Sequence, residues 1–384
     1  MTVDTQKRYD YIIAGTGCAG LSLLLRIIKN PKLRNKRILL IDKDIVKTND
    51  RTWCFWEKGS GFFEDIVYRQ WSRLDFFGEG YEAELDISPY HYKMIRGQDF
   101  YAYCFSEIKK HPQVDCLYGE IEDIIVQDRR PFIRLTNQLL DTGDALVFTS
   151  IHQPTPSHKN DIILLQHFKG WVIETERPVF STHKATLMDF RVHQQYGASF
   201  SYVLPFDERT ALVEYTLFTP SLLKKEQYDR ELNDYIMHQL QISAYTVKEE
   251  EYGVIPMTSL SYPFYKNGVY HIGTAGGQTK ASTGYTFQFI QKQSQQIVNC
   301  LAADQSLLTI PATPSRFRFY DNTLLHILYH DQLPGKKIFS DLFRKNDPVS
   351  VLRFLDNESS FKDEWKIISS LPTWPFLKAA FARR

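Results

Sequence analysis

In the stretch ALVEYTLF, residues 211–218, one carboxylate, Glu214, stands in an apolar run. An acid so placed has two fates. On a strand with one wetted face it is a solvated surface group, the commoner outcome in antiparallel sheets. In a dry pocket, desolvation disfavours its charged form and makes it a proton donor near neutral pH. Strand alternation puts Leu212, Glu214, Thr216 and Phe218 on one face and Ala211, Val213, Tyr215 and Leu217 on the other, and the apolar companions of Glu214 weaken the solvated reading. A second carboxylate, Asp189 in LMDF, is a weaker candidate, for taking a proton up rather than giving one, and is also suited to holding only a turn.

A second constellation is built for a dinucleotide. Gly15, Gly17 and Gly20, with Ala19 among them, form Gly-x-Gly-x-x-Gly between a strand and a helix in YDYIIAGTGCAGLSLLLRIIKN. The first glycine permits the turn, the second lets a pyrophosphate approach the backbone, and the third allows close packing of helix on strand. The helix N-terminus offers free N–H groups to the phosphates. Asp42 closes the next strand, KRILLID, where a ribose hydroxyl needs an acceptor. Spacing alone does not separate FAD from NAD, although the N-terminal position favours FAD. A later cluster, Gly273, Thr274, Ala275, Gly276 and Gly277 in IGTAGGQTKASTGY, repeats the strand, glycine turn and helix pattern and supports a flavin.

These groups need elements to carry them. The opening reads as a βαβ unit over 1–50, followed by an inserted β-rich segment over 51–90. A helix at GQDFYAYCFSEIKK and a β-meander fill 91–170, and a second sheet occupies 171–252. Residues 253–310 return to the nucleotide-binding part, and 311–384 form a helical C-terminal region. Ser221 is expected to cap a helix in PSLLKKEQYDRELNDYIMHQL. KEEEY, 248–252, reads as a solvated charge run.

Composition narrows the partners. A net charge of +1 gives no reason to expect nucleic acid. Five scattered cysteines without a Cys-x-x-Cys pair argue against both a disulfide framework and a zinc site, so no metal is expected. His326 and His330 have metal-pair spacing but no third ligand. The apolar stretch from Tyr11 to Leu25 is too short to span a bilayer, and a cytoplasmic protein, or one on the inner membrane face, is expected. In the tail, Trp374, Phe376, Leu377 and Phe381 lie among Lys378, Arg383 and Arg384, a pattern suited to a membrane interface or to packing on the main body.

The segments DYIIAGTGCAGLSL, NDRTWCFW, HYKMIRGQDFY, ATLMDFRVHQQYGASFSYVLPFDERTALVEYTLF and GTAGGQTKASTGYTF together resemble the bacterial lycopene cyclases, and LPTWPFLKAAF continues the likeness more loosely. The resemblance implies an α/β fold like that of p-hydroxybenzoate hydroxylase, with a Rossmann-type FAD domain interleaved with a β-sheet substrate domain. It implies lycopene as substrate, and rings closed by proton addition to a terminal double bond to give γ-carotene and β-carotene. No net electrons move, so reduced FAD serves without being consumed and NAD(P)H only reduces it at the start. Because the family's cyclisation acid falls in the segment matching VEYT, Glu214 becomes the expected proton donor. Trp53, Phe206 and Tyr215 become candidates for cation–π support of the passing charge. The carotenoid's insolubility tips the tail toward peripheral membrane contact. A monooxygenase or polyprenyl reductase of the same fold is one rival, although Gly273-Thr274-Ala275 stands where the hydroxylases carry Gly-Asp. A carotenoid- or flavin-binding protein without catalysis is another.

Overall fold

The computed structural model describes residues 7–128, 130–151 and 161–381. Two large sheets carry the architecture. The first is six-stranded, in the order Tyr265–Lys266, Val269–His271, Leu146–Thr149, Tyr11–Ala14, Ile38–Asp42 and Val114–Tyr118. Its pairs are parallel except the outermost, Tyr265–Lys266 on Val269–His271. Tyr11–Ala14 and Ile38–Asp42 are apolar runs rather than alternating ones, as strands covered on both faces require. The helices Cys18–Lys29 and Phe287–Ala302 pack side by side, with Arg26 of the first donating to Ser294 and Gln291 of the second at 3.0 and 3.1 Å.

The second sheet is seven-stranded, in the order Tyr245–Thr258, Ile163–Thr175, Thr210–Thr219, Ala198–Pro205, Lys184–Asp189, Arg73–Gly78 and Tyr81–Asp86. All its pairs are antiparallel except Lys184–Asp189 with Arg73–Gly78. Its two faces bury different cores. Leu212 and Phe218 join Phe200, Tyr202 and Leu204 against the C-terminal helices, while Ala211, Val213, Tyr215 and Leu217 pack on Tyr228, Leu232 and Tyr235. This is the alternation that the sequence predicts for 211–218.

The two sheets are threaded through one another. The segment 51–90 supplies Thr52–Lys58 and Arg69–Trp71 of a small sheet whose middle strand, Tyr90–Arg96, crosses the boundary expected at 90, and also the edge of the seven-stranded sheet. The boundaries expected at 170 and 252 fall inside the continuous strands Ile163–Thr175 and Tyr245–Thr258, because the polar residues there alternate along paired strands and do not mark turns. The meander forms its own sheet of Ile121–Gln127, Arg130–Leu135 and Gln138–Asp141.

Two local expectations are corrected. The helix expected from Ser221 begins at Lys225, where the Gln227 side chain accepts from the Lys224 backbone N–H at 2.8 Å; Ser221 instead gives its carbonyl to the Thr219 hydroxyl. The later glycine cluster is a single 3₁₀ turn, Gly273–Gly276, and the long helix starts only at Phe287. Gly277, at φ 74°, turns the chain into the intervening loop.

At Gly20 a Cβ would lie 2.0 Å from the Gly15 carbonyl oxygen, a backbone atom with no freedom to move. Gly20→Ala is expected to lower stability by about 1–3 kcal/mol, the usual cost of overpacking, read as an earlier urea midpoint with an unchanged slope.

Candidate functional site

The first glycine turn follows from local sterics. Gly15 adopts φ 103°, which side chains resist, and Gly17 caps the first helix with open space where a Cβ would stand. Asp42 accepts from the Thr16 N–H and hydroxyl, both at 2.6 Å, and from the Asp44 N–H and Lys47 Nζ at 2.8 and 3.1 Å. Burial pushes its carboxyl up, but these donors outweigh burial and hold it below the ordinary value. Asp42 is therefore anionic and pins the turn. The second cluster presses on the first: a Cβ on Gly273, at φ 63°, would come 2.7 Å from the Ala19 methyl.

One cavity of about 590 Å³ joins this turn to the acid. Gly17, Cys18, Ala19, Gly273 and Thr274 line one part; Glu214, Tyr92, Tyr202, Leu212 and Tyr285 line another. Trp53 lies on the wall between, with its ring 4.9 Å from Phe100 and 6.1 Å from Phe287. Ala275, Gly276 and Gly277 shape the turn without lining the cavity. Gln166 Oε1 and Thr283 Oγ1, both on the wall, are buried with no hydrogen-bond partner among the described residues. Buried polar atoms left this way are costly, and a polar ring held against this wall would satisfy them. The open backbone at Gly17, the helix N-terminus behind it and these two orphaned atoms fit a flavin dinucleotide.

Glu214 projects into the cavity and accepts from the Thr216 hydroxyl at 2.6 Å. Desolvation first, and then the charge of nearby Glu251, drive its carboxyl well above the ordinary value; the Thr216 donor pulls the other way and is outweighed. Glu251 is raised too, by burial, against hydrogen bonds from Thr52 and Glu214 that lower it. The charge run KEEEY is therefore not solvated as a block. It lies on a strand, where Lys248 and Glu250 pair with Glu174 and Lys169 on one side while Glu251 turns inward.

Three candidates stand elsewhere. Asp189 is fully buried under an ion pair with Arg191 (2.7 Å) and a hydrogen bond from the Tyr235 hydroxyl (2.8 Å), and it caps the Arg191 N–H at 2.9 Å. It locks a turn and does not reach the cavity. Tyr215 lies on the opposite face of the sheet from Glu214, inside the helix-covered core, as alternation demands. Phe206 packs edge-on against Tyr68 (5.2 Å) beside a separate surface groove. The aromatic groups near Glu214 are instead Tyr92, Tyr202 and Tyr285, which sequence patterning did not single out. Burial raises all three hydroxyls well out of the titrating range, and they remain neutral.

Solved structures share this architecture. The chain is similar to the flavin-dependent brominase Bmp2 (14% identity, TM-score 0.62, covering 98% of this chain and 99% of that one). It is similar also to a flavoprotein/dehydrogenase from Cytophaga hutchinsonii (12%, 0.62, 98% and 100%) and to a geranylgeranyl bacteriochlorophyll reductase-like protein from Thermoplasma acidophilum (12%, 0.58, 97% and 96%). The fold is thus that of the FAD-dependent monooxygenases and reductases. No curated protein matches the sequence. The family model described as "Lycopene cyclase protein" matches residues 10–381, nearly the whole chain, and the protein belongs to that family.

A carboxyl raised by burial makes stability fall as pH rises, because the native state then holds a proton that the unfolded chain has released. The contribution is complete below the unfolded value near 4.5 and is lost toward the raised native value. Wild type is expected to lose up to about 1.4 kcal/mol per pH unit per retained proton over that window, and Glu214→Gln should flatten the slope in urea titrations from pH 5 to 8. Asp189→Asn should cost about 1–3 kcal/mol through its buried partners and leave the cavity's ligand affinity unchanged, measured by urea melts and flavin titration.

Proposed function

We propose that the protein is an FAD-dependent lycopene β-cyclase, closing the linear ends of lycopene to β-ionone rings without net redox change. The observation that carries this reading is the single cavity lined both by the dinucleotide turn at Gly17 and by a carboxyl that burial keeps protonated at Glu214. An alkene is a very weak base, and only a neutral acid in a dry site can protonate it. Family membership supports the substrate class.

The chain's own residues have separable roles. Glu214 donates its proton to the terminal double bond, leaving a tertiary cation that the neighbouring double bond attacks. Leu212 and the tyrosine rings of Tyr92, Tyr202 and Tyr285 exclude water that would otherwise capture that cation. Their ring faces, with Trp53, attract positive charge without forming bonds. Gly15, Gly17 and the helix N-terminus would hold the pyrophosphate of FAD, with Gly273 and Thr274 lining the same cavity. When bound and reduced, FAD would supply an electron-rich surface suited to developing positive charge, with NAD(P)H as the initial reductant.

An oily substrate calls for delivery from a bilayer, and two helices at the C-terminus are suited to lie against one. Phe361, Trp365 and Ile368 share one face of Phe361–Ser370, and Trp374, Leu377 and Phe381 share one face of Thr373–Phe381. Trp365 and Trp374 are 75% and 77% exposed, and Lys362, Lys366 and Lys378 stand among these apolar groups. The same last helix anchors through buried Ala379 against Ile327 and Ile338, so packing and lipid contact use different faces. Arg383 and Arg384 lie outside the described residues. Among the described residues no helix is long and apolar enough to cross a membrane. The reading is therefore a peripheral protein of the inner membrane face.

Two measurements test this. In lycopene-accumulating bacteria, wild type should yield cyclic carotenoids while Glu214→Gln, still binding flavin, loses at least about 100-fold in activity, the scale of a missing general acid; unchanged lycopene with wild type would defeat the reading. In flotation with anionic vesicles, the double variant Trp365→Ser, Trp374→Ser should leave the lipid fraction, and equal flotation of both proteins would remove the membrane proposal.

A further inference from the structure

We propose that Glu251 is a positioning residue for the acid: the carboxyl groups of Glu214 and Glu251 meet over Gly170 and share one proton, which Glu214 delivers to the substrate and receives back. This rests on the reading of Glu214 as proton donor.

The geometry is set by strand register. Tyr202, Glu214, Gly170 and Glu251 form one row across four neighbouring strands, with Glu214 and Glu251 each paired to Gly170 from opposite sides. Residues in such a row point to the same face. Any side chain at Gly170 would separate the two acids. A Cβ there would lie 2.8 Å from Leu212 Cδ1, 3.0 Å from Glu251 Cγ and 3.3 Å from Glu251 Oε1, so Glu251 leans over Gly170 toward Glu214 with the Leu212 side chain packed beside it. Its other oxygen accepts from the Thr52 hydroxyl at 2.7 Å, which fixes it from behind. An isolated glycine within a strand marks a close approach of this kind.

Chemistry then assigns the proton. Two carboxylates in contact away from water cannot both be ionised, and one proton is retained between them. Neither acid has a cationic partner among the described residues. The surrounding groups are Asp50 and Arg51, paired with each other at 2.6 Å, together with Glu249, Cys54, Tyr92, Tyr202 and Tyr285. This field is net acidic and favours keeping the proton. Thr52 donates to Glu251 and Thr216 to Glu214, but only Glu214 faces the cavity, so the deliverable proton resides there. The cycle balances without another reagent. Glu214 O–H breaks and a C–H bond forms at the terminal alkene; the internal double bond forms the ring C–C bond; a ring C–H bond then breaks, its electrons make the new double bond, and its proton returns to Glu214. Between the two transfers both carboxylates are ionised only because the substrate cation replaces the proton as their counter-charge, which also holds that cation beside the base that will quench it.

The test uses Glu251→Gln, which keeps the shape and replaces the repelling charge with an amide donor that favours ionised Glu214. The high-pH limb of cyclisation, where activity is lost as Glu214 deprotonates, should move down by about 1–3 pH units, with a loss of about 10-fold or more at neutral pH recovered on acidification. Glu251→Asp, which keeps the charge, should retain the wild-type limb. Infrared spectra supply a readout independent of turnover: a protonated-carboxyl band should be present in wild type at neutral pH and lose intensity at the same pH in both Glu214→Gln and Glu251→Gln. An unchanged pH limb in Glu251→Gln overturns the proposal, as does activity that acid does not restore in a folded, flavin-binding variant. Should Glu251→Gln fail to fold, absence of the band in wild type is equally decisive. If wild type leaves lycopene unchanged while the infrared pattern holds, the functional reading fails and the shared proton stands.

Discussion

A carboxyl group removed from water must find a cation, collect donors or keep its proton. Asp42 and Asp189 take the first two courses, with Lys47, Thr16, Arg191 and Tyr235 partnering them at structural posts. Glu214 has one donor, Thr216, and a second acid where a cation would relieve it. Everything distinctive about the cavity follows from that denial of charge. The neighbouring tyrosines, raised by burial, add no charge of their own, and Glu214 faces the open space.

The sheet makes this arrangement possible by leaving something out. Strands lie about 4.8 Å apart, so two glutamates separated by one strand have their backbones about 10 Å apart and can touch only over an empty position. Gly170 is that position, and the Leu212 side chain shares the space over it with Glu251. The same economy recurs at Gly284, at φ 71°, whose missing Cβ would stand 2.0 Å from Gln166 Oε1, and at Gly273 against Ala19. Absent side chains draw the loop after the second glycine turn onto the acid-bearing sheet and the turn itself onto the first helix.

Much of this was legible in the sequence. The Gly15, Gly17 and Gly20 spacing with Asp42 requires a particular backbone, and backbone requirements are local. The faces of 211–218 followed from alternation alone. That alternation also puts Tyr215 opposite Glu214, so the two could not both face the cavity. Glu251 was hidden for a different reason. Three successive glutamates look alike in composition, and only strand pairing turns one of them inward; Gly170 in HFKGWVIET was the available signal. Tyr92, Tyr202 and Tyr285 come from three distant segments, so no spacing could unite them. Phe206 was misplaced because it stands at the far end of its strand, past Pro205, where the chain has left the cavity wall.

The threading of the two sheets bears on how such a molecule can change over evolutionary time. Because the chain passes repeatedly between the nucleotide-binding sheet and the acid-bearing one, neither half exists as a contiguous stretch that recombination could excise and replace. Replacements along the strand faces can instead reshape the acid-bearing wall of the cavity while the backbone of the glycine turns at Gly17 and Gly273 stays as it is.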